Sequence, residues 1–202
     1  CYTKGISYAR LTRSVVQSER TRNILIAHSA VPYTNAVETM EQLRDIDESA
    51  RIFCITSYGS DGEKYTKRGK EIFGDRFVAV DQYMNYDQYV EFLSTIDVAV
   101  FGMDVVHGRD TIELLFWQGA KVYLKPNTEI WQRFEAMGYR VEDYYRAKDQ
   151  SLEELLDNPN EEWNRAIAAD EFDPDIKVKQ WRELYEYDFE NGVNNWDNYP
   201  VQ

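Results

Sequence analysis

Hydrophobic and polar positions along the chain form blocks that favour strands and helices in turn. Short apolar runs, each beginning 18 to 28 residues after the one before it, lie at Asn23 to Ala27, Arg51 to Thr56, Arg76 to Val80, Asp97 to Phe101, Lys121 to Leu124 and Tyr139 to Val141. Between them, apolar residues recur at helical spacing, as at Tyr89, Phe92 and Ile96. Because each gap has room for one crossover helix, the pattern predicts an α/β fold, a Rossmann-like and mostly parallel sheet flanked by helices.

Polar loops follow the predicted strands. They are rich in Ser, Thr, Asn, Tyr, Gly and Asp, and they lie at His28 to Asn35, Ser57 to Gly62, Asp81 to Asn85, Gly102 to Asp110 and Lys125 to Thr128. In parallel sheets of this kind, ligands bind beyond the carboxyl ends of the strands. Turns need nearly the same residue types as polar recognition does, so both interpretations of these loops stay open.

The stretch from Val98 to Leu124 is the most informative single segment. It predicts a strand, a polar turn that holds Gly108, a helix that ends at Gly119, and a second strand. A glycine before a helix lets the backbone approach a ligand closely, and the unpaired N–H groups of the first helical turn favour an anion. Any parallel α/β domain contains such units, so the stretch alone leaves ligand binding and a purely structural part open.

Helical patterns also flank the alternating region. Tyr8 to Arg20 predicts a helix that connects to a preceding region, and a polar tail ends the chain. Further helices are predicted at Leu152 to Leu156, Glu161 to Ala168 and Lys177 to Phe189. We therefore expect a connector at 1–22, one Rossmann-like domain at 23–150, and acidic helices at 151–202 that pack on this domain.

Charge is distributed unevenly over the 202 residues. The net charge is −13 overall, +4 over residues 1–22 and −10 over residues 151–202. Such an acidic chain is a poor partner for nucleic acid, and an acidic helical face of this kind is typically a solvated surface. The basic stretch from Arg10 to Arg22 leaves two interpretations open, a solvated connector and peripheral contact with anionic lipid.

Cysteine and histidine usage limits the chemistry. Two cysteines cannot form a secreted disulfide framework, and no apolar run resembles a signal peptide or a membrane span, so we expect a cytoplasmic protein. His28 and His107 are the only histidines, which excludes a histidine-rich metal site. The two Asp-x-Asp pairs, beginning at Asp45 and Asp173, lie away from the predicted strand ends. The sequence therefore predicts neither a metal nor a cofactor.

Residues 23–145 resemble a known family. NILIAHSAVPYTNAVETMEQL, RIFCITSYGSDGEKY and the segment from IFGDRFVAVDQYMNYDQYV to DVVHGRDTIELLFWQGAKVYL, in this order, are similar to the C-terminal half of the 4-alpha-L-fucosyltransferase family, glycosyltransferase family 56. The resemblance implies the GT-B architecture, in which two Rossmann-like domains face a cleft and the C-terminal domain holds the donor nucleotide. It further implies transfer of N-acetylfucosamine from a dTDP-sugar to a polyprenyl-diphosphate-linked saccharide, in bacterial cell-envelope polysaccharide biosynthesis of the enterobacterial common antigen kind.

The same resemblance implies that this chain is half of an enzyme. A complete enzyme of this architecture needs about twice the length, since domains span roughly 100 to 200 residues, and we expect an N-terminal domain that contains the general base. The catalytic residues are therefore unknown. The expected partners are the nucleotide-sugar donor, the lipid-linked saccharide acceptor and the N-terminal domain, at the inner face of the plasma membrane.

The site residues that the resemblance implies lie in three predicted loops and one helix. They are Ser29, Asn35, Ser57, Tyr58, Gly59, Gly108, Arg109, Thr111 and Glu113. The helix after Gly108, with the hydroxyl of Thr111 and the charge of Arg109, would stabilise the departing diphosphate without a metal in an inverting transfer. An ordinary N-cap is the structural alternative for Thr111, and turn or surface packing is the alternative for the loop residues.

Two positions depart from the family pattern. The glutamate that binds ribose in many GT-B enzymes precedes the helix-ending glycine by five residues, whereas Glu113 precedes Gly119 by six. One residue corresponds to about 100° around a helix, so we expect Glu113 to face solvent and keep it only as a ribose candidate. His28 replaces an expected asparagine, which leaves the donor open. Two alternatives remain: a non-catalytic nucleotide- or partner-binding α/β module, and another GT-B enzyme such as a nucleotide-sugar epimerase or a pyruvyl transferase.

Overall fold

A computed structural model describes residues 20–190 of the chain. Within this range, residues 20–168 belong to one compact unit and residues 169–190 to a second. The predicted connector helix lies, apart from its last residue, outside the described residues, as does the polar tail after residue 190.

Strands and helices follow one another along the described part of the chain. The strands are β1 (Asn23–Ala27), β2 (Arg51–Ile55), β3 (Phe77–Val80), β4 (Val98–Phe101), β5 (Lys121–Leu124) and β6 (Glu142–Asp143). The helices are α1 (Ala36–Gln42), α2 (Gly62–Phe73), α3 (Tyr86–Ser94), α4 (Arg109–Gln118), α5 (Glu129–Ala136), α6 (Leu152–Leu156), α7 (Glu161–Phe172) and α8 (Pro174–Glu190). Short 3-10 turns occupy Pro32–Thr34, Gly74–Arg76 and Tyr144–Asp149.

The six strands form one parallel sheet in the order β3-β2-β1-β4-β5-β6. Ile24 is in register with Ile52 of β2 on one side and with Val98 of β4 on the other. From β1 the chain first adds strands in one direction and then returns to add β4, β5 and β6 in the other. The predicted Rossmann-like α/β fold is confirmed, and the direction of winding reverses between β1 and β4.

Burial explains why the central segments form strands. Every residue of β1, β4 and β5 is buried, because helices cover both faces of a doubly wound parallel sheet. The edge strand β3 is only half-buried after its first residue. The continuous apolar runs in the sequence therefore correspond to strands covered on both faces.

Local capping residues fix where several helices begin. Asn85 accepts a hydrogen bond from the backbone of Gln88, whose side chain accepts one from the backbone of Asn85, and Ser151 and Glu154 form the same reciprocal pair. Thr128 caps α5 in the simpler way, through its side-chain oxygen. These caps are local sequence features, and the helices they start were predicted from periodicity.

The sixth predicted strand is wrong in position. Tyr139 is buried and stacks on Phe116 with a centroid distance of 4.6 Å, so it packs against α4 and not in the sheet. The backbone N–H and carbonyl of Arg140 are both paired with the side-chain amide of Asn164, each at 2.8 Å. Since these two groups are occupied, strand pairing begins only at Glu142.

Candidate functional site

The loops after β1 and β4 lie side by side at the end of the sheet where a doubly wound fold is expected to have a crevice, and we call this place the crevice. The winding of the sheet reverses between these two strands, and doubly wound sheets bind their ligands at such a point. The loop after β1 begins at His28, and the loop after β4 leads through His107 and Gly108 into α4. The site described below is built on these two loops and on the neighbouring loop after β2.

Gly108 begins α4 in the left-handed conformation, with φ +69°, and no side-chain oxygen caps the helix. A Cβ at this position would lie 2.6 Å from Nε2 of His28. Glycine is therefore required twice, by the backbone conformation and by the close approach of the His28 ring. The uncapped first turn leaves N–H groups that favour an anion.

The two histidines meet across the crevice. Nε2 of His28 lies 2.5 Å from Nδ1 of His107, and the ring of His107 also meets the edge of Tyr33 at a centroid distance of 5.2 Å. Burial and the neighbouring His107 lower the pKa of His28 to about 3. His28 is therefore neutral at physiological pH. No local sequence signal pairs these residues, because 79 positions separate them.

Arg109 and Glu113 pair on one face of α4. Nε of Arg109 donates to Oε1 of Glu113 at 2.5 Å, and the side chain of Glu113 is only 8% exposed. The expectation that Glu113 faces solvent is wrong, because the guanidinium one turn earlier allows the carboxylate to be buried. The structure thus brings Glu113 into contact with a second predicted site residue.

Thr111 is buried in the first turn of α4 and does not cap it, because the N-cap is Gly108. Its hydroxyl oxygen lies 2.8 Å from the hydroxyl oxygen of Tyr89 on α3. The N-cap interpretation is therefore wrong, and the hydroxyl has a partner on a neighbouring helix.

Two buried hydroxyls near the strand ends have no hydrogen-bond partner among the described residues. Ser29 follows β1 and is 2% exposed, yet its Oγ is unpaired. Oγ1 of Thr56, directly after β2, is buried and unpaired as well, and so is Nδ1 of His28. Because buried polar atoms normally find partners, the two hydroxyls mark the β1 and β2 ends as places where a polar ligand would supply the missing hydrogen bonds. Thr56 is absent from the predicted site, although its position at a strand end was a usable signal.

Asn35 ties the loop after β1 to the loop after β4. Its side-chain amide donates to the carbonyl of Gly102 at 2.8 Å and to a carboxylate oxygen of Asp104 at 2.7 Å. The other carboxylate oxygen of Asp104 accepts from the amine of Lys125 at 3.1 Å, and Glu38 accepts from the same amine at 3.4 Å. Asp104 and Lys125 were not predicted as site residues, since only the fold brings the loops after β4 and β5 together.

The loop after β2 is held by backbone contacts. The backbone N–H of Ala30 donates to the carbonyl of Tyr58 at 2.6 Å, and the N–H of Asp61 donates to the carbonyl of Ala30 at 2.9 Å. Gly59 has φ +116°, and a Cβ there would lie 2.2 Å from the carbonyl oxygen of Ala30. Ser57 is exposed, and the Tyr58 side chain is 69% exposed. Gly59 therefore permits the loop contact, and Tyr58 is not packed against the domain.

The five loops that follow the strands carry no net positive charge, since four Asp residues outnumber their one Arg and one Lys. Arg109 and Lys125 are the only Lys or Arg residues in the five loops that follow the strands, and each is paired with carboxylate groups. An anion would therefore depend mainly on backbone N–H groups and hydroxyls for stabilisation. In residues 20–190, no group of three or more His, Cys, Asp and Glu side chains is placed to hold a metal ion. No helix in that range is both long and apolar enough to cross a membrane.

The domain has a Rossmann-like fold, and the solved structures to which it is similar include a glucosyltransferase. The structure is similar to that of S. aureus TarM in a complex with fondaparinux, alpha-GlcNAc-glycerol and UDP, with a TM-score of 0.60, 13% identity, and coverage of 91% of this chain and 37% of that chain. The catalytic domain of the Helicobacter pylori cholesterol-alpha-glucosyltransferase gives a TM-score of 0.52 at 14% identity, over 78% of this chain and 98% of that one.

A third similar structure is an E. coli trehalose-6-phosphate protein bound with UDP-2-fluoro glucose, with a TM-score of 0.53, 13% identity, and coverage of 84% of this chain and 44% of that chain. At these identities the likeness concerns the fold. No protein-family model and no curated protein sequence matches the chain. The narrower resemblance to the 4-alpha-L-fucosyltransferase family therefore stays a prediction.

Proposed function

We propose that this chain is the donor-binding domain of a GT-B glycosyltransferase and binds a nucleoside diphosphate sugar in the crevice between the loops after β1 and β4. The uncapped N-terminus of α4, which begins at the left-handed Gly108 beside that crevice, carries the proposal. The unpaired Oγ of Ser29 supports it, because a buried hydroxyl at a strand end gains a partner when a polar ligand binds.

The chemistry follows from charge. Breaking the bond between sugar and phosphate leaves extra negative charge on the nucleoside diphosphate, and N–H groups already oriented by a helix stabilise it without a metal. Arg109, whose charge Glu113 partly balances, adds a cation at the same helix end. The general base belongs to the N-terminal domain in this proposal, and the transfer is inverting.

The proposed donor is a dTDP-linked amino-deoxy-hexose such as N-acetylfucosamine, and the proposed acceptor is a polyprenyl-diphosphate-linked saccharide. Both come from the family resemblance of residues 23–145. Similar structures contain UDP and UDP-2-fluoro glucose, which supports a nucleotide-sugar donor in general. A cytoplasmic enzyme at the inner face of the plasma membrane would meet such an acceptor.

Calorimetric titration of the chain with dTDP, UDP and GDP tests the proposal. We expect one of the three to bind, with dTDP the tightest. Complete absence of binding at millimolar ligand would contradict donor binding by this chain. A preference for UDP or GDP would keep the transferase and replace the dTDP donor.

A pair of serine variants sharpens this experiment. Ser29→Ala removes the unpaired hydroxyl beside the crevice, whereas Ser94→Ala removes a hydroxyl at the last residue of α3, which bonds locally to the carbonyl of Glu91. We expect the first variant to bind nucleotide more weakly with unchanged stability, and the second to bind as the wild type does. Equal affinities would remove Ser29 from the site.

One observation favours a second candidate function, a non-catalytic nucleotide- or partner-binding module. Both cations of the strand-end loops are already paired with carboxylates, so neither adds much net charge for a diphosphate. Such a module would bind free nucleotide as tightly as the nucleotide-sugar. A transferase domain would instead bind the sugar-linked form with additional affinity, and so would another GT-B enzyme such as an epimerase.

A further inference from the structure

The pairing of the two histidines restricts which ring nitrogens carry protons. Nδ1 of His28 is buried without a partner among the described residues, and Nε2 of the same ring lies 2.5 Å from Nδ1 of His107. A buried N–H without an acceptor is the rarer and costlier defect, so the proton of neutral His28 lies on Nε2. This N–H donates to Nδ1 of His107, which must then carry no proton, so the ring proton of His107 lies on Nε2.

The position of His107 places that second N–H group beside the start of α4. His107 directly precedes Gly108, the N-cap of the helix, and its ring is half-buried between His28 and Tyr33. Among residues 20–190, no group accepts a hydrogen bond from Nε2 of His107. The local arrangement thus places one imidazole donor in a fixed tautomer beside a helix start that no side chain caps.

We propose that Nε2–H of His107 donates a hydrogen bond to a phosphate oxygen of the bound nucleoside diphosphate, and that His28 is a positioning residue that fixes the tautomer of His107. This inference rests on the proposed function, because it names a contact of the same ligand. It adds a neutral donor at a site where both cations of the strand-end loops are already paired. His28 and Gly108 then form one unit, since only glycine leaves room for the His28 ring.

The chain contains two histidines, so nitrogen NMR of the imidazole rings resolves each of them directly. The experiment uses ¹⁵N-labelled protein with long-range ¹H–¹⁵N correlation, and the probes are dTDP, UDP and inorganic pyrophosphate. In the free protein we expect both rings in the Nε2–H form. On addition of a nucleoside diphosphate, the Nε2 signal of His107 should shift, and Nδ1 of His28 should stay in place.

Amino-acid substitutions test the same contact through the affinity for a nucleoside diphosphate. His107→Ala should weaken nucleoside diphosphate binding about 10- to 100-fold, the range for a lost hydrogen bond to a charged group. His107→Gln keeps a side-chain donor and should recover part of this loss. His28→Ala should leave the fold intact and give His107 a mixture of tautomers. Thermal unfolding of each variant separates a loss of contact from a loss of structure.

The outcomes distinguish this inference from the proposed function. Nucleotide binding with equal affinity in wild type and folded His107→Ala would overturn the histidine contact and leave the proposed function standing. A His107 shift with pyrophosphate, without binding of any nucleotide, would support the phosphate contact and contradict the nucleotide-sugar site. No shift with any probe, together with no nucleotide binding in calorimetry, would overturn both.

Discussion

The hydroxyl oxygen of Thr111 lies 2.8 Å from the hydroxyl oxygen of Tyr89 and joins the start of α4 to α3. The sequence placed the hydroxyl of Thr111 near the helix start, where it could serve a ligand or cap the helix. In the structure, Gly108 takes the capping position and leaves Thr111 buried against the neighbouring helix. The contact stabilises the position of α4, and with it the direction of the first helical turn.

Removal of this hydroxyl should therefore lower stability. We expect Thr111→Val to reduce the free energy of unfolding by about 0.5 to 1.5 kcal/mol, the net value of a typical hydrogen bond. Thr111→Ser keeps the hydroxyl and should lose less. Urea denaturation of Thr111→Val, Tyr89→Phe and the double variant measures the coupling, and strictly additive losses would show that the two hydroxyls do not interact.

Two glycines offer a matched comparison of strain and close contact. Gly59 and Gly74 both have positive φ, but only Gly59 packs against backbone, since a Cβ added there would lie 2.2 Å from the carbonyl oxygen of Ala30. Gly74→Ala should cost about 1 to 3 kcal/mol from its sparsely populated backbone conformation alone, since nothing lies within 4 Å of the added Cβ. Gly59→Ala should cost clearly more, because the loop after β2 must also shift. Equal losses in denaturation would contradict the contact with Ala30.

The close approach of Gly108 to His28 gives a third prediction. Gly108→Ala should destabilise the domain through both the left-handed φ and the contact with the imidazole ring, which a Cβ would approach to 2.6 Å. In a His28→Ala background, only the cost of the left-handed conformation remains, about 1 to 2 kcal/mol. The same substitution at Gly108 should therefore cost less in that background. An identical cost in both backgrounds, measured by thermal unfolding, would rule out the predicted contact.

The lowered pKa of His28 predicts an acid-dependent loss of stability. The unfolded chain takes up a proton at His28 near pH 6.5, whereas the folded chain does so only at about 3. Between these values the unfolded state binds more protons, so the free energy of unfolding falls with decreasing pH, by at most about 1.4 kcal/mol per pH unit. His28→Gln should fall less steeply over this window. Parallel curves for the two proteins would contradict the depressed pKa.

The local pattern of apolar residues predicts five of the six strands, and the run that it misplaces shows the limit of such a prediction. Five apolar runs became strands because most of their residues are covered by the helices on either face of the sheet, which periodicity and run length can reveal. Tyr139 to Val141 has the same local appearance, but its backbone groups at Arg140 are paired with Asn164 of α7. The contact between Arg140 and Asn164, which are 24 residues apart in sequence, keeps this run out of the sheet, and a local pattern cannot reveal such a contact.

The sequence could predict which residues lie at the candidate site, but it could not predict which of them contact each other. The rule that ligands bind at strand ends directed attention to Ser29, Gly108 and the loops around them. The same rule cannot state that His28 meets His107 or that Arg109 allows Glu113 to be buried. The contact between the two histidines depends on which strands are neighbours in the sheet, and the burial of Glu113 depends on its ion pair with Arg109. Both are properties of the folded chain.

The two walls of the crevice are anchored in different ways. On the β2 side, backbone hydrogen bonds between the peptide groups of Ala30, Tyr58 and Asp61 hold the loops to each other. On the β4 side, the side chains of Asn35, Asp104 and Lys125 provide the link. Salt screens an ion pair such as Asp104–Lys125 and hardly affects hydrogen bonds between peptide groups, so the β4 side should be the more sensitive of the two to ionic strength.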